Sequence, residues 1–343
     1  MKIVADSAIP FIEGLFEPYS EVVYKSGIEI CREDVSDADA LIISMRTKCN
    51  AELLEGSRVK MIATANIGMD HIDLDWCREH GIFVSNAAGC NAGGVMNYVM
   101  SAIYGTASRE CISLTGTTFG IIGAGSTGTR VEEAARTLGF KTLLCDPKRA
   151  EKESSYPFCS LDYLLENSDI VSLHVPLTDS TRGMADREFF GKMKEGAFFV
   201  NVSRGEVVNE QALIEAKPKL GPVVLDTWNN EPEVNTELLN LVDIATPHVA
   251  GYSLQGKAFG TAYAVRAVAR YFGIPELYDF FPQLEESCKA VKIDIKDKSQ
   301  GQIASLIQYN YPIFTDDFIF RMNPDGFTEL RAKYKYRIEF YFG

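Results

Sequence analysis

The chain reads as an α/β protein built around a doubly wound parallel sheet. Three observations predict this. Short apolar runs alternate with amphipathic helical stretches through most of the 343 residues, a pattern that predicts parallel sheets with helices on both faces. Six strand candidates fall between Thr118 and Thr246, the count of a nucleotide-binding domain made of two βαβαβ halves. A glycine-rich turn, Gly123 to Gly128, joins the first of these strands to a helix.

The elements follow in order. "KIVAD", "EVVY", "ADALIIS", "KMIATA" and "GIFVSN" read as strands before residue 90, with helices at "FIEGLFEPY", "NAELLEG" and "LDWCREHG" between them. A longer helix spans about 91–108. The strands "FGIIG", "TLLCD", "DIVSLHV", "AFFVNVS", "PVVLDTW" and "VDIAT" come next, separated by helices such as "STGTRVEEAARTLG" and "NEQALIEA". In the first of these, Val131, Ala134, Ala135 and Leu138 recur at helical spacing and make one apolar face. A helix over 252–272 precedes "GIPELYDFFP", which reads as a linker. The last seventy or so residues then read as a separate unit, with a strand at "AVKIDI", a helix at "SQGQIASLIQ" and a basic, aromatic helix at "FTELRAKYKYRIEF".

A hydrophobic fraction of 46% with 24% charged residues is that of a globular protein. A net charge of −13 argues against nucleic acid as the main partner, since phosphate backbones are bound through excess Lys and Arg. No apolar run approaches the ~18 residues of a membrane span, and no signal peptide is visible. The eight cysteines are scattered without a C-x-x-C pair, which predicts reduced thiols and a cytoplasmic protein.

Gly123-Ala124-Gly125-Ser126-Thr127-Gly128 fits G-x-G-x-x-G in the required strand–turn–helix context. The first glycine allows the tight turn, the second admits a pyrophosphate, and the third lets helix and strand pack closely. The helix N-terminus, at Ser126 and Thr127, offers free N–H groups to phosphate. Asp146 ends the next strand, where a carboxylate can bond a ribose hydroxyl and favour NAD over NADP; Lys148 and Arg149 nearby soften that preference.

Arg204, Glu231 and His248 each follow a strand of this sheet, and Asp226 ends one of those strands. All therefore belong to the carboxyl ends of parallel strands, where open α/β sheets bind ligands. Arginine can hold a carboxylate through a two-pronged hydrogen bond. Histidine can take a hydroxyl proton while hydride leaves the same carbon. Glutamate can orient the histidine and favour its protonated form. "MDHIDLDWCREH" gathers acids, a cysteine and histidines, but has no second ligand pair at useful spacing. A capped helix, with no metal, is expected there.

These residues resemble the D-2-hydroxyacid dehydrogenases. The resemblance is carried by "ATANIGMDHIDLD", "GIIGAGSTGTRV", "HVPLTDSTRGMADREFFGKMKEGAFFVNVSRGEVV", "LDTWNNEP" and "PHVAGYS", in the family's order. "NAAGCNAGGV", "LLCDPKRAEKE", "HVAGYSLQGKAFGT" and "PDGFTELRAKYKYRIEF" are similar to a subgroup that oxidises the C2 hydroxyl of 4-phospho-D-erythronate during pyridoxal phosphate synthesis. The resemblance implies a Rossmann NAD domain over 91–252, inserted in a flavodoxin-like α/β substrate domain over 1–90 and 253–275. It also implies a small α+β domain over 276–343 that makes a homodimer. Arg204, Glu231 and His248 fall on the family's catalytic positions. Asp146, Val175, Asp226 and Gly251 fall on cofactor positions, alongside the glycine loop.

Met45, Arg46, Asn66 and Tyr252 stand at or beside substrate positions. Ser44 and Met45 replace an arginine and a hydroxyl residue usual in the subgroup, Asn66 replaces a threonine, and Asn97 replaces a glutamate. Arg46 and Thr47 follow immediately and can supply the missing groups, and Arg46 and Lys48 are candidates for a substrate phosphate. Two alternatives stay open from sequence: a dehydrogenase of another 2-hydroxy acid, such as glycerate or phosphoglycerate, and a non-catalytic NAD-sensing interaction protein.

Overall fold

In the computed structural model, which describes residues 1–153 and 155–343, the first five apolar runs become strands. They are β1 (Lys2–Asp6), β2 (Glu21–Lys25), β3 (Ala40–Ile43), β4 (Met61–Thr64) and β5 (Phe83–Ser85). All pairs are parallel, in the order β2-β1-β3-β4-β5, which is flavodoxin-like. The central strands β3 and β4 are wholly buried, as expected of a sheet covered on both faces. Ala264, Val265, Val268 and Ala269 of the helix Leu254–Phe272 share a core with Ile3, Ala5, Ile42 and Ala63.

Two expectations fail here. "FIEGLFEPY" forms turns rather than a helix. Phe11 and Gly14 have positive φ (62° and 82°), and the Gly14 N–H donates to the Glu17 carboxylate across a turn. "GIPELYDFFP" is packed structure rather than a linker. Ile274 and Leu277 are buried in the same core, and Arg266 Nε donates to the Phe280 carbonyl at 2.7 Å.

The second sheet comprises β6 (Thr118–Ile122), β7 (Lys141–Cys145), β8 (Ile170–Leu173), β9 (Phe198–Asn201), β10 (Val223–Leu225) and β11 (Ile244–Ala245). Its order is β11-β10-β9-β8-β6-β7, all parallel. Phe158 adds a single parallel bridge to Leu144 of β7. Counting that bridge as a vestigial third strand restores the doubly wound order, with its switch point between β6 and β8.

The chain divides into two compact units, Met1–Asn91 with Leu254–Lys289, and Ala92–Ser253 with Ala290–Gly343. The C-terminal residues expected as a separate domain over 276–343 are thus shared between the two, and 290–343 belongs to the second-sheet unit. The reason lies in the helix Ala92–Arg109, which is buried nearly all round, as a helix covered on two sides must be. Ile303 and Ile307 of the helix Gln300–Asn310, with Tyr311 and Ile313, join Tyr98, Val99, Ala102 and Ile103 in one core.

The basic segment "FTELRAKYKYRIEF" is helical only over Phe327–Ala332. The chain then extends, and β13 (Phe340–Phe342) pairs in parallel with β12 (Val291–Ile293). Asn97 holds it there: its Nδ2 donates to the Phe340 carbonyl at 2.8 Å and its Oδ1 accepts from the Phe340 N–H at 2.9 Å. Arg337, in the segment read from sequence as a basic helix, pairs with the buried Asp316 at 2.5 Å.

Asn97→Ala strands the buried backbone groups of Phe340, each costing about 1–3 kcal/mol. A loss of ~3 kcal/mol is expected, read as a lower thermal midpoint. An unchanged midpoint would refute the clamp.

Candidate active site

The last strand of the second sheet delivers His248 through a loop that Asp226 folds. Asp226 follows β10 and is 1% exposed. Its Oδ1 accepts from the Thr246 hydroxyl (2.6 Å) and the Val249 N–H (2.8 Å), and its Oδ2 from the Ala250 N–H (2.9 Å). The His248 N–H donates to the Asp226 carbonyl at 2.7 Å. His248 itself has φ 57°, a left-handed conformation uncommon outside glycine. Strong local bonding holds it there. Since the Thr246 hydroxyl donates to Asp226, the Tyr98 hydroxyl must donate to Thr246, at 2.6 Å. Burial pushes the Asp226 carboxyl above its ordinary value, with the charge of His248 and these donors acting against it.

So held, His248 Nδ1 lies 2.8 Å from Glu231 Oε2. The other oxygen, Oε1, accepts from the Trp228 N–H at 3.0 Å. Burial would raise the Glu231 carboxyl, but the charge and hydrogen bond of His248, the Trp228 N–H and the charge of Arg331 outweigh it and hold the group low. An ionised carboxylate only accepts, so Nδ1 carries a hydrogen, and in the neutral ring Nε2 is the nitrogen with the lone pair. Both side chains are about one-fifth exposed, at 18% and 21%, so the pair remains reachable from solvent.

Arg204 follows β9 in extended conformation and is half-buried. Its carbonyl accepts from Asn201 Nδ2 at 3.0 Å, and its Nη1 donates to the Ser203 carbonyl at 2.9 Å. Gly205 explains its position. A Cβ there would meet the Trp228 carbonyl carbon at 2.0 Å, so only glycine lets the Arg204 turn lie against the backbone that carries Glu231.

The other histidines are placed differently. His174 is half-buried, and loss of solvent around its ring depresses its pKa to about 3. Its Nε2 lies 2.9 Å from the Ser172 hydroxyl. His80 stacks on Trp76 at 3.8 Å beyond a helix capped by Asp73.

The glycine loop sits at the switch point. Gly123 has φ 87°, and a Cβ on it would lie 2.6 Å from the His174 carbonyl oxygen and 2.9 Å from Val175. A Cβ on Gly128 would lie 1.9 Å from the Gly123 carbonyl oxygen, whereas one on Gly125 would meet nothing within 4 Å. The second glycine therefore faces open space where a pyrophosphate can approach, above the start of the helix Ser126–Thr137. The residues present fit a dinucleotide. Asp146 ties this loop to its own strand end, accepting from the Ala124 and Arg149 N–H groups at 2.9 and 3.0 Å. Arg149 is held two-pronged by Glu153, at 2.9 and 2.6 Å, and donates to the Ala124 carbonyl. It is committed within the protein, which removes its expected weight toward a 2′-phosphate.

In the first-sheet unit, Met45 and Arg46 follow β3 and Asn66 follows β4, at the carboxyl ends of central strands. Arg46 is exposed. The Asn66 Oδ1 is shut off from solvent without a hydrogen-bond donor. The Ser44 hydroxyl is spent on Asp6, and the buried Thr47 hydroxyl donates to the Gly27 carbonyl at 2.9 Å. Thr47 therefore does not supply the group missing at Met45.

Sequence reasoning missed Tyr98, Thr246, Trp228 and Gly205. The glycine after Arg204 was the available signal; the other three are ordinary core residues by type.

Because the Glu231 carboxyl is held below its ordinary 4.5, its contribution to stability is complete above that value and is lost as pH falls through the lowered one. The gap in thermal midpoint between wild type and Glu231→Gln is expected to shrink as pH falls below 4.5. A gap that is constant with pH would contradict the pairing.

A family model described as D-isomer specific 2-hydroxyacid dehydrogenase, NAD binding domain, matches residues 95–250. The erythronate-4-phosphate dehydrogenase of Bacteroides fragilis is 41% identical over 346 residues, covering 99% of this chain and 97% of that protein. That of Shewanella loihica is 39% identical over 353 residues, covering 99% and 93%. The solved structure of NAD+-bound 3-phosphoglycerate dehydrogenase from Entamoeba histolytica is similar with a TM-score of 0.67 at 26% identity, over 83% of this chain and 99% of that one. With the glycine-loop geometry, these likenesses make the chain an NAD-dependent dehydrogenase. It belongs to the erythronate-4-phosphate dehydrogenases, within the D-isomer-specific 2-hydroxyacid dehydrogenase family.

Proposed function

We propose that the chain oxidises the C2 hydroxyl of 4-phospho-D-erythronate to the 2-oxo acid, a step of pyridoxal phosphate synthesis. The observation that carries the reading is the Glu231–His248 pair, which leaves Nε2 as a proton acceptor. His248 takes the hydroxyl proton, and Glu231 stabilises the imidazolium that forms. Arg204 holds the substrate carboxylate by parallel N–H bonds. Bound NAD supplies the hydride acceptor. Gly123, Gly125, Ser126, Thr127 and Gly128 cradle its pyrophosphate, and Asp146 takes a ribose hydroxyl. Val175, Asp226 and Gly251 complete the cofactor contacts.

Met45, Arg46, Asn66 and Tyr252 contact the substrate in this reading. The chain acts as a homodimer in the cytoplasm. Exposed apolar side chains on 309–322 support dimerisation, among them Tyr309 at 87%, Phe318 at 63% and Met322 at 69%. Eight cysteines scattered without a C-x-x-C pair support a reducing compartment. Among the described residues no helix is long and apolar enough to cross a membrane.

NADH formation across a panel of 2-hydroxy acids tests the substrate, with the highest kcat/KM expected for 4-phospho-D-erythronate. Higher turnover of an unphosphorylated acid would overturn it. His248→Ala is expected to lower kcat about 10²–10⁴-fold with NAD affinity retained, and Arg204→Lys to lower kcat/KM, since a point charge does not replace a planar fork. Sedimentation should show a dimer that Phe318→Glu with Met322→Glu dissociates; an unaltered dimer would locate the contact elsewhere.

A further inference from the structure

The cations of the second-sheet unit are mostly spoken for. Arg149 is held by Glu153, Arg337 by Asp316, Arg321 by Asp317 and Arg130 by Glu133. Arg331, on the helix Phe327–Ala332, is different. Its Nε is closed off from solvent with no acceptor. Its guanidinium lies over the Tyr252 ring, 5.8 Å from the centroid, and over the Phe327 ring at 5.7 Å.

This seat is built on packed rings and adjoins the reaction centre. Phe327 is 1% exposed and packs edge-on against Phe320 at 5.9 Å, which in turn packs on Trp228 at 5.9 Å. Trp228 is the residue whose N–H holds Glu231. The charge of Arg331 reaches Glu231 and helps keep that carboxyl low. On the other side, Tyr252 is tied to the His248 loop through its N–H to the Val249 carbonyl at 2.8 Å.

Contacts with the two rings, and burial of Nε, leave the terminal nitrogens of the guanidinium, whose in-plane N–H groups match two oxygens of a phosphate. In a chain of net charge −13, a substrate carrying a phosphate as well as a carboxylate needs a local cation of this kind. Arg204 is assigned the carboxylate at the other end of the substrate. We propose that Arg331 binds the substrate phosphate, so that the C-terminal segment selects phosphorylated hydroxy acids. The inference rests on the Glu231–His248 pair as reaction centre.

An arginine that only stacked would hold Tyr252 and Phe327 in place and affect all substrates alike. Arg331→Met keeps the length of the side chain, and Arg331→Lys keeps its charge without the fork. For 4-phospho-D-erythronate, kcat/KM is expected to fall about 100-fold in the first and about 10-fold in the second, mostly through KM. For unphosphorylated D-erythronate the change is expected to stay under about threefold. Equal losses on both acids would overturn the proposal.

A second readout is independent of which acid is the substrate. Inorganic phosphate is expected to inhibit wild type competitively, against whichever 2-hydroxy acid is turned over, and Arg331→Met only weakly. Equal inhibition of the two, or none of wild type, overturns the proposal. If wild type turns over no phosphorylated acid, the substrate reading fails, and phosphate inhibition still decides Arg331.

Discussion

The Asp226 carboxylate is the constraint on which the second-sheet unit's chemistry depends. It sits buried at the end of β10 and gathers a hydroxyl and two backbone N–H groups from the loop after β11. Burying a carboxylate costs several kcal/mol. Three bonds to a charged acceptor, each worth about 1.5–3 kcal/mol, offset that cost. Those bonds also set the backbone of 246–250, and with it the left-handed conformation that turns His248 toward Glu231. Tyr98, reaching Thr246 from the helix Ala92–Arg109, extends the network into the core.

Two histidines in the same unit show how environment divides roles. His174 is half-buried, and desolvation of its ring keeps it neutral. Its surroundings serve the turn at Gly123, which packs against the His174 carbonyl. His248 lies at the rim with a carboxylate on one nitrogen and the other left to accept. A neutral ring that can gain a proton beside a fixed negative charge is suited to acid–base work. A ring that desolvation keeps from charging is not.

The C-terminal segment is more than an appendage. Its helix Gln300–Asn310 covers the second face of the helix Ala92–Arg109, and Asn97 locks β13 down through the backbone of Phe340. The same segment places Phe327 and Arg331 beside Trp228 and Tyr252. Residues far apart in sequence thereby share one small region with the pair that follows β10 and β11.

Much of this was legible in the residues. Strands buried on both faces must be apolar throughout, so "ALII" and "MIAT" announce themselves. The glycine loop is legible because its turn, close approach and open face each exclude a side chain. Arg204, Glu231 and His248 are legible as polar residues just past apolar strands. Local signals misled where tertiary contacts decided. "FIEGLFEPY" has helical composition but is bent by positive φ at Phe11 and Gly14. "FTELRAKYKYRIEF" has helical propensity, yet Asp316 and Asn97 hold its second half extended. The sequence by itself determined which segments are strands, where the dinucleotide loop lies and which groups stand at the strand ends, because those depend on short-range periodicity. Only the tertiary structure decided that Asp226 folds the histidine loop, that Gly205 brings the Arg204 turn against Trp228, and that the last residues pack with the second sheet. Each of those joins groups that no local pattern connects.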